Sequence, residues 1–144
     1  MKKLYLLLRL YYRFTFDKDS YLLNRGYLKS VKEDKPVDAN GNPIPWMSYS
    51  ILDFFEEKLN KNLTLFEYGL GYSTLYFCER VKSVRSIEHH EGWYKDISER
   101  MKDQQNVTIE CVGLEDGYEE AIKKIDEKFD IILIDGRKSI KMMS

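Results

Sequence analysis

Phe66-Glu67-Tyr68-Gly69-Leu70-Gly71-Tyr72-Ser73-Thr74 decides the fold. An apolar run ends in an acid, and the acid leads into a glycine-rich turn followed by two hydroxyl residues that can cap a helix. Ser86-Ile87-Glu88-His89-His90 and Phe129-Asp130-Ile131-Ile132-Leu133-Ile134-Asp135-Gly136-Arg137 also run from apolar residues to an acid. Acids at the carboxyl ends of such runs are the layout of a nucleoside-binding α/β domain.

Around this stretch the pattern alternates. Strands are predicted at about 64–68, 83–87, 107–112 and 129–134, and helices at about 73–81, 92–104 and 116–126. Helical crossovers between strands imply right-handed parallel βαβ units with helices on both faces of the sheet. Trp93, Ile97 and Met101 recur every four residues and predict a buried stripe. Ile131-Ile132-Leu133-Ile134 is continuously apolar, so it expects cover on both faces and a neighbouring strand on each side.

Residues 1–60 read as a helical and loop lead-in to the sheet domain at 61–144. Asp17 to Lys32 predicts a short helix weakened by Gly26. Glu33 to Pro45 is a loop dense in turn formers. Ser48 or Ser50 can cap a following helix, and Ser50 with Asp53 has capping-box spacing. The first sixteen residues carry Lys2, Arg9 and Arg13 near one side of a helix, with Leu and Tyr around the rest. Packing on the domain or on a second subunit is the preferred reading, and peripheral contact with an anionic membrane is the alternative.

The whole chain has 144 residues, 43% hydrophobic and 33% charged, as in ordinary soluble proteins. Its net charge of -1 gives no general reason to expect a nucleic-acid partner. Cys78 and Cys111 read as two small buried residues in a reducing, cytoplasmic compartment. The only two histidines are adjacent, so no His-based metal site is expected.

Gly69 and Gly71 let the chain turn and bring its backbone close to a ligand. Glu88 lies 21 residues beyond Glu67, the spacing of a ribose-binding acid. A dinucleotide fingerprint wants a third glycine at position 74, which is Thr here. Glu67 separates the cofactors. A carboxylate at the turn repels a pyrophosphate, whereas S-adenosylmethionine has an ammonium and a sulfonium and no phosphate. Asp135 ends the fourth strand at the same sheet edge, where it can contact the donor, orient an acceptor or act as base. Arg137 can hold an anionic acceptor. A structural pairing of Asp135 with Arg137 is the equal alternative.

From about Gly26 to Arg137 the chain resembles the class I, Rossmann-like S-adenosylmethionine-dependent methyltransferases. The likeness is strongest to a bacterial subgroup often linked to surface-polysaccharide genes. It rests on four segments: Pro36 to Met47, Glu67 to Thr74, Ile87-Glu88-His89 with Trp93-Tyr94, and Ile134-Asp135-Gly136-Arg137. The resemblance implies that Glu67, Gly69, Gly71 and Ser73 cradle the methionine part and that Glu88 holds the ribose. It puts His89 beside the adenosine and has the Asp116-Gly117-Tyr118 loop meet the adenine edge. Trp46 and Tyr49 would wall the pocket. The acceptor implied is a glycan or related small molecule, with Asp135 or His89 as base. The family strand order is 3-2-1-4 for the four strands present, and the C-terminal strands of the full fold are missing. A truncated domain with little or no activity, which self-associates through its fourth strand, is therefore expected. A non-catalytic binding module is the alternative, and a dinucleotide-dependent oxidoreductase is disfavoured.

Overall fold

The computed structural model describes residues 2–17 and 19–135; the side chains of residues 14–16 are not described. Gly136, Arg137 and the seven residues after them lie outside that range. The chain forms six α-helices: α1 (Lys2–Phe16), α2 (Tyr21–Asn24), α3 (Tyr27–Glu33), α4 (Tyr49–Lys58), α5 (Tyr72–Cys78) and α6 (Glu91–Met101). Its strands are β1 (Thr64–Tyr68), β2 (Ser83–Glu88), β3 (Val107–Cys111) and β4 (Ile131–Ile134), with a 3-10 helix at Tyr118–Lys124 between the last two.

The four strands make one parallel sheet in the order β3-β2-β1-β4. This is an α/β, Rossmann-like arrangement. Strand alternation explains how it is covered. Leu65, Val84, Ile131 and Leu133 point to the face packed by Leu52 of α4, by Tyr76 and Phe77 of α5, and by Ile97 and Met101 of α6. Phe66, Tyr68, Ile87 and Ile134 point to the other face, where Tyr118, Ala121 and Phe129 meet them. The first two crossovers thus pack one face and the third packs the other. The chain reverses direction across the sheet between β1 and β4, which opens a crevice at their carboxyl ends. The third crossover is a 3-10 helix rather than the expected α-helix over 116–126.

Gly26 divides the helix expected over Asp17 to Lys32. It adopts φ 92°, a left-handed conformation that suits glycine. A Cβ there would fall 2.3 Å from the carbonyl carbon of Asp38. The break turns the chain so that Ser30 can receive the following loop: its Oγ donates to Val37 O at 2.6 Å and accepts from Val37 N at 3.0 Å. Asp38 closes the turn by accepting from the N–H groups of Asn40 and Asn42, both at 2.8 Å. Ser48 is the residue before α4, and its side chain makes no cap bond. The Ser50–Asp53 capping box does not form; Asp53 instead meets Arg25 at 3.2 Å and accepts from the Tyr21 hydroxyl.

Two further expectations change. Every residue from Lys2 to Arg13 is exposed, so α1 is not buried against the domain over that span. Among the described residues no helix is long and apolar enough to cross a membrane. Cys78 is buried as expected, but Cys111 is exposed at the end of β3.

Among the described residues β4 has one strand neighbour, β1. Its two central side chains differ. Ile132 is 53% exposed, while Leu133 packs on the main core. Ile132→Lys should therefore change stability by no more than about 0.5 kcal/mol, and Leu133→Lys should cost roughly 2 kcal/mol or more by driving a charge against the core. Urea unfolding of the two variants checks this; equal losses would show that the strand faces are misassigned.

Candidate active site

A cavity of about 590 Å³ lies at the carboxyl ends of β1, β2 and β4. Its floor is the turn from Gly69 to Ser73. Glu88 and His89 close one side, Asp135 the other, and Trp93 with Trp46 stand at the rim.

The turn is built from Glu67. Its side chain is fully buried on the helical face of β1. Ser73 and Thr74 of α5 and Ser86 of β2 all donate hydroxyl protons to it, Thr74 at 2.5 Å and Ser86 at 2.8 Å. Thr74 Oγ1 also accepts from the Gly71 N–H at 3.0 Å, so its own proton is directed to the carboxylate. One buried acid thereby ties β1, β2 and α5 together below the cavity. Burial is the largest influence on its pKa and raises it from 4.5 to about 7, against the opposing effect of the three hydroxyls. Glu67 does not line the cavity, so its expected contact with the methionine part is not what this geometry provides.

Glu88, unlike Glu67, faces the cavity. Its Oε1 accepts from the N–H groups of His89 and His90, both at 2.8 Å, and its Oε2 accepts from Leu70 N–H at 3.0 Å. Three backbone donors fix the carboxylate, and a carboxylate has about four lone-pair positions. Oε2, with one donor, can still accept a ligand hydroxyl. His89 follows on the same side. Its Nδ1 lies 3.0 Å from Glu88 Oε1 but makes no hydrogen bond.

Gly69 has φ 100° and donates its N–H to Ile87 O at 2.9 Å, so the glycine is needed to turn off the strand. Gly71 is different. Its backbone is extended, and a Cβ there would meet only Trp93, at 3.6–4.0 Å. Protein packing does not require that glycine; its missing side chain leaves backbone bare to the cavity. The N–H groups of Tyr72 and Ser73 follow, in the first turn of α5, where no intrahelical acceptor exists.

Asp135 continues β4, and its N–H donates to Tyr68 O at 3.0 Å. Asp135 is exposed on its outer side, and partial desolvation on the cavity side raises its carboxyl above the usual range. Asp135 and His89 sit at the ends of the two strands that flank β1. They are therefore about two strand spacings apart, roughly 10 Å.

The remaining expected residues separate. Asp116 is exposed and does not line the cavity. Tyr118 is fully buried, edge-on to His89 at 5.5 Å and to Tyr68 at 5.3 Å between ring centroids. It backs the cavity wall, its hydroxyl makes no hydrogen bond, and burial pushes its pKa up. Tyr49 lines a different cavity, and Arg137 lies outside the described residues. Trp46 does line the cavity.

Several lining residues were not singled out as site residues from sequence: Asp34, Lys35, Tyr72, His90, Trp93 and Arg100. Trp93 is the instructive one. The four-residue spacing placed it in a buried stripe, yet Ile97 and Met101 are buried and Trp93 is 40% exposed. His90 Nδ1 caps α6 by accepting the Trp93 N–H at 3.1 Å, and the indole N–H donates to Leu70 O. The cap at His90 starts the helix there and swings the indole over the glycine turn.

No model of a known protein family matches the chain, and no curated protein matches it. Among solved structures it is similar to a dimethyladenosine transferase from Plasmodium falciparum, at 20% identity and a TM-score of 0.45. The similarity covers 61% of this chain and 32% of that one, so this chain spans about a third of that structure's length.

Glu67 supplies a pH test of the site's foundation. The folded chain binds its proton more tightly than the unfolded chain, with pKa about 7 against 4.5. That contribution to stability is full below pH 4.5 and is lost as pH rises through about 7. Glu67→Gln should flatten the stability profile across this window by up to about 3 kcal/mol relative to the native chain. Denaturation midpoints measured at a series of pH values read the slope. Identical slopes in the two proteins would show that Glu67 does not titrate there.

Proposed function

We propose that the chain is an S-adenosylmethionine-binding domain of a methyltransferase. The observation that carries this reading is Glu88, a buried acid fixed by three backbone N–H groups with one oxygen still open to the cavity beside a bare glycine backbone. A ribose hydroxyl suits Glu88 Oε2. The adenosine then lies along His89, with Tyr118 behind that ring. The methionine end extends across the turn toward β4, where the N–H groups of Tyr72 and Ser73 can receive its carboxylate. Asp34, Glu88 and Asp135 line the cavity against Lys35 and Arg100, a small excess of negative charge that suits a cationic ligand better than a pyrophosphate.

S-adenosylmethionine, when bound, supplies an electrophilic methyl carbon on a sulfonium. The domain's own contribution is alignment of an acceptor with that carbon. Asp135 is the base best placed for an acceptor hydroxyl. It sits at the β4 side, away from the ribose, and its raised pKa makes it a stronger base than an ordinary carboxylate. His89 belongs to the adenosine side.

The acceptor reading is a neutral, polyhydroxylated molecule, a glycan or a related compound. A second cavity of about 430 Å³ shares Pro36 and Trp46 with the first. Tyr21, Tyr27 and Tyr49 line it with Ser30, Ser48 and Ser50, and no charged side chain does among the described residues. Aromatic faces and hydroxyls suit a sugar ring better than an anion.

Calorimetric titration with S-adenosylhomocysteine and, separately, NAD tests the donor. S-adenosylhomocysteine should bind more tightly. Glu88→Ala should weaken it by about 1.5–3 kcal/mol through loss of a charge-assisted hydrogen bond. Tighter binding of NAD would overturn the reading, and unchanged binding by the variant would remove the ribose assignment.

A further inference from the structure

Helix α1 is exposed along its described side chains and has an unusual charge. Four of the chain's 23 basic residues and none of its 24 acidic residues lie in residues 1–16. The segment is therefore +4, and the rest of the chain, with a total of -1, is -5. At about 100° per residue, Lys2, Arg9 and Arg13 fall within roughly 40° of one another. Leu4, Leu7, Leu8 and Tyr11 centre on the opposite side, each between 57% and 63% exposed. Tyr5 and Tyr12 flank them, 68% and 63% exposed. The described intramolecular ion pair of these cations is Arg13 with Asp17 at 3.7 Å, at the helix end and largely in water.

We infer that α1 lies in the interface of an anionic lipid bilayer, with Leu4, Leu7 and Leu8 among the acyl chains and Lys2, Arg9 and Arg13 at the headgroups. Charge complementarity selects that occupant. An apolar side opposite a basic stripe, with Tyr5 and Tyr12 on one flank and Lys3 on the other, matches the gradient from hydrocarbon through interface to anionic headgroup. A second copy of α1 fits less well, because the helix has no acid to meet the other helix's cations. With 15 residues, α1 is too short to span the bilayer. The surface would hold the domain beside membrane-borne acceptors, a role independent of the donor site.

Sedimentation of the full chain with vesicles tests this. One set is phosphatidylcholine alone, and the other contains about 30% phosphatidylglycerol. Binding to the anionic set should be on the order of tenfold tighter or more, and should fall steeply with added salt. Arg9→Glu with Arg13→Glu should reduce it to the neutral-vesicle level. Leu4→Ser, Leu7→Ser and Leu8→Ser together should abolish retention on either set. All five positions are exposed, so melting temperature and S-adenosylhomocysteine binding should stay as in the native chain. Equal binding to both vesicle sets, or none, would overturn the inference. So would vesicle-independent dimers that the leucine variant dissolves, which would make a second copy the occupant. Failure of S-adenosylhomocysteine binding in every variant would count against the donor site alone.

Discussion

The carboxylate of Glu67 is the point on which the site depends. A buried acid is costly unless hydrogen-bonded, and this one is met by three hydroxyls from two elements, Ser73 and Thr74 on α5 and Ser86 on β2. Because Thr74 also holds the Gly71 N–H, the same network fixes where the glycine turn ends and the helix begins. The neighbouring strand carries Glu88 to the same sheet edge, where its oxygens catch the Leu70, His89 and His90 amides. Thus one acid sets the frame from below and a second, chemically identical acid is left to face the cavity.

That division of labour follows from strand geometry. Glu67 pairs with Ser86 and with Leu133, one residue inside the strand ends, so α5 covers it. Glu88 and Asp135 stand at the ends of β2 and β4, beyond the covering helix. The reversal of crossover direction between β1 and β4 leaves the crevice into which they point. Trp93 fixes the turn from above through Leu70 O, and Tyr118 stiffens the His89 wall from behind.

Much of this was legible in the sequence. All four strands fall near their expected positions, β4 as a short apolar run and β2 and β3 as alternating patterns. The order 3-2-1-4 came with the family resemblance. Periodicity failed where a single contact decides a side chain's direction. Trp93 has core spacing, but the His90 cap rotates it to the cavity rim. Glu67 and Glu88 look alike in sequence, and only the helix above one of them makes it structural. Gly26 was seen as a weakness in one helix; the close approach of Asp38 makes it a junction between two. The 3-10 helix at Tyr118–Lys124 follows Gly117 at φ 91°, and helical spacing alone does not distinguish 3-10 from α over seven residues. Helix α1 is exposed from Lys2 to Arg13, so the apolar side that its spacing predicts is not buried in the described fold.

The central claim is that Glu88, set in place by the Glu67 network, is the donor's ribose anchor. A crystal structure of the chain soaked with S-adenosylhomocysteine measures this directly. The account predicts a ribose hydroxyl within hydrogen-bonding distance of Glu88 Oε2, the ligand's carboxylate at the Tyr72 and Ser73 amides, and Glu67 still sealed beneath the turn. A ligand seated with its ribose away from Glu88, or in contact with Glu67, would contradict it.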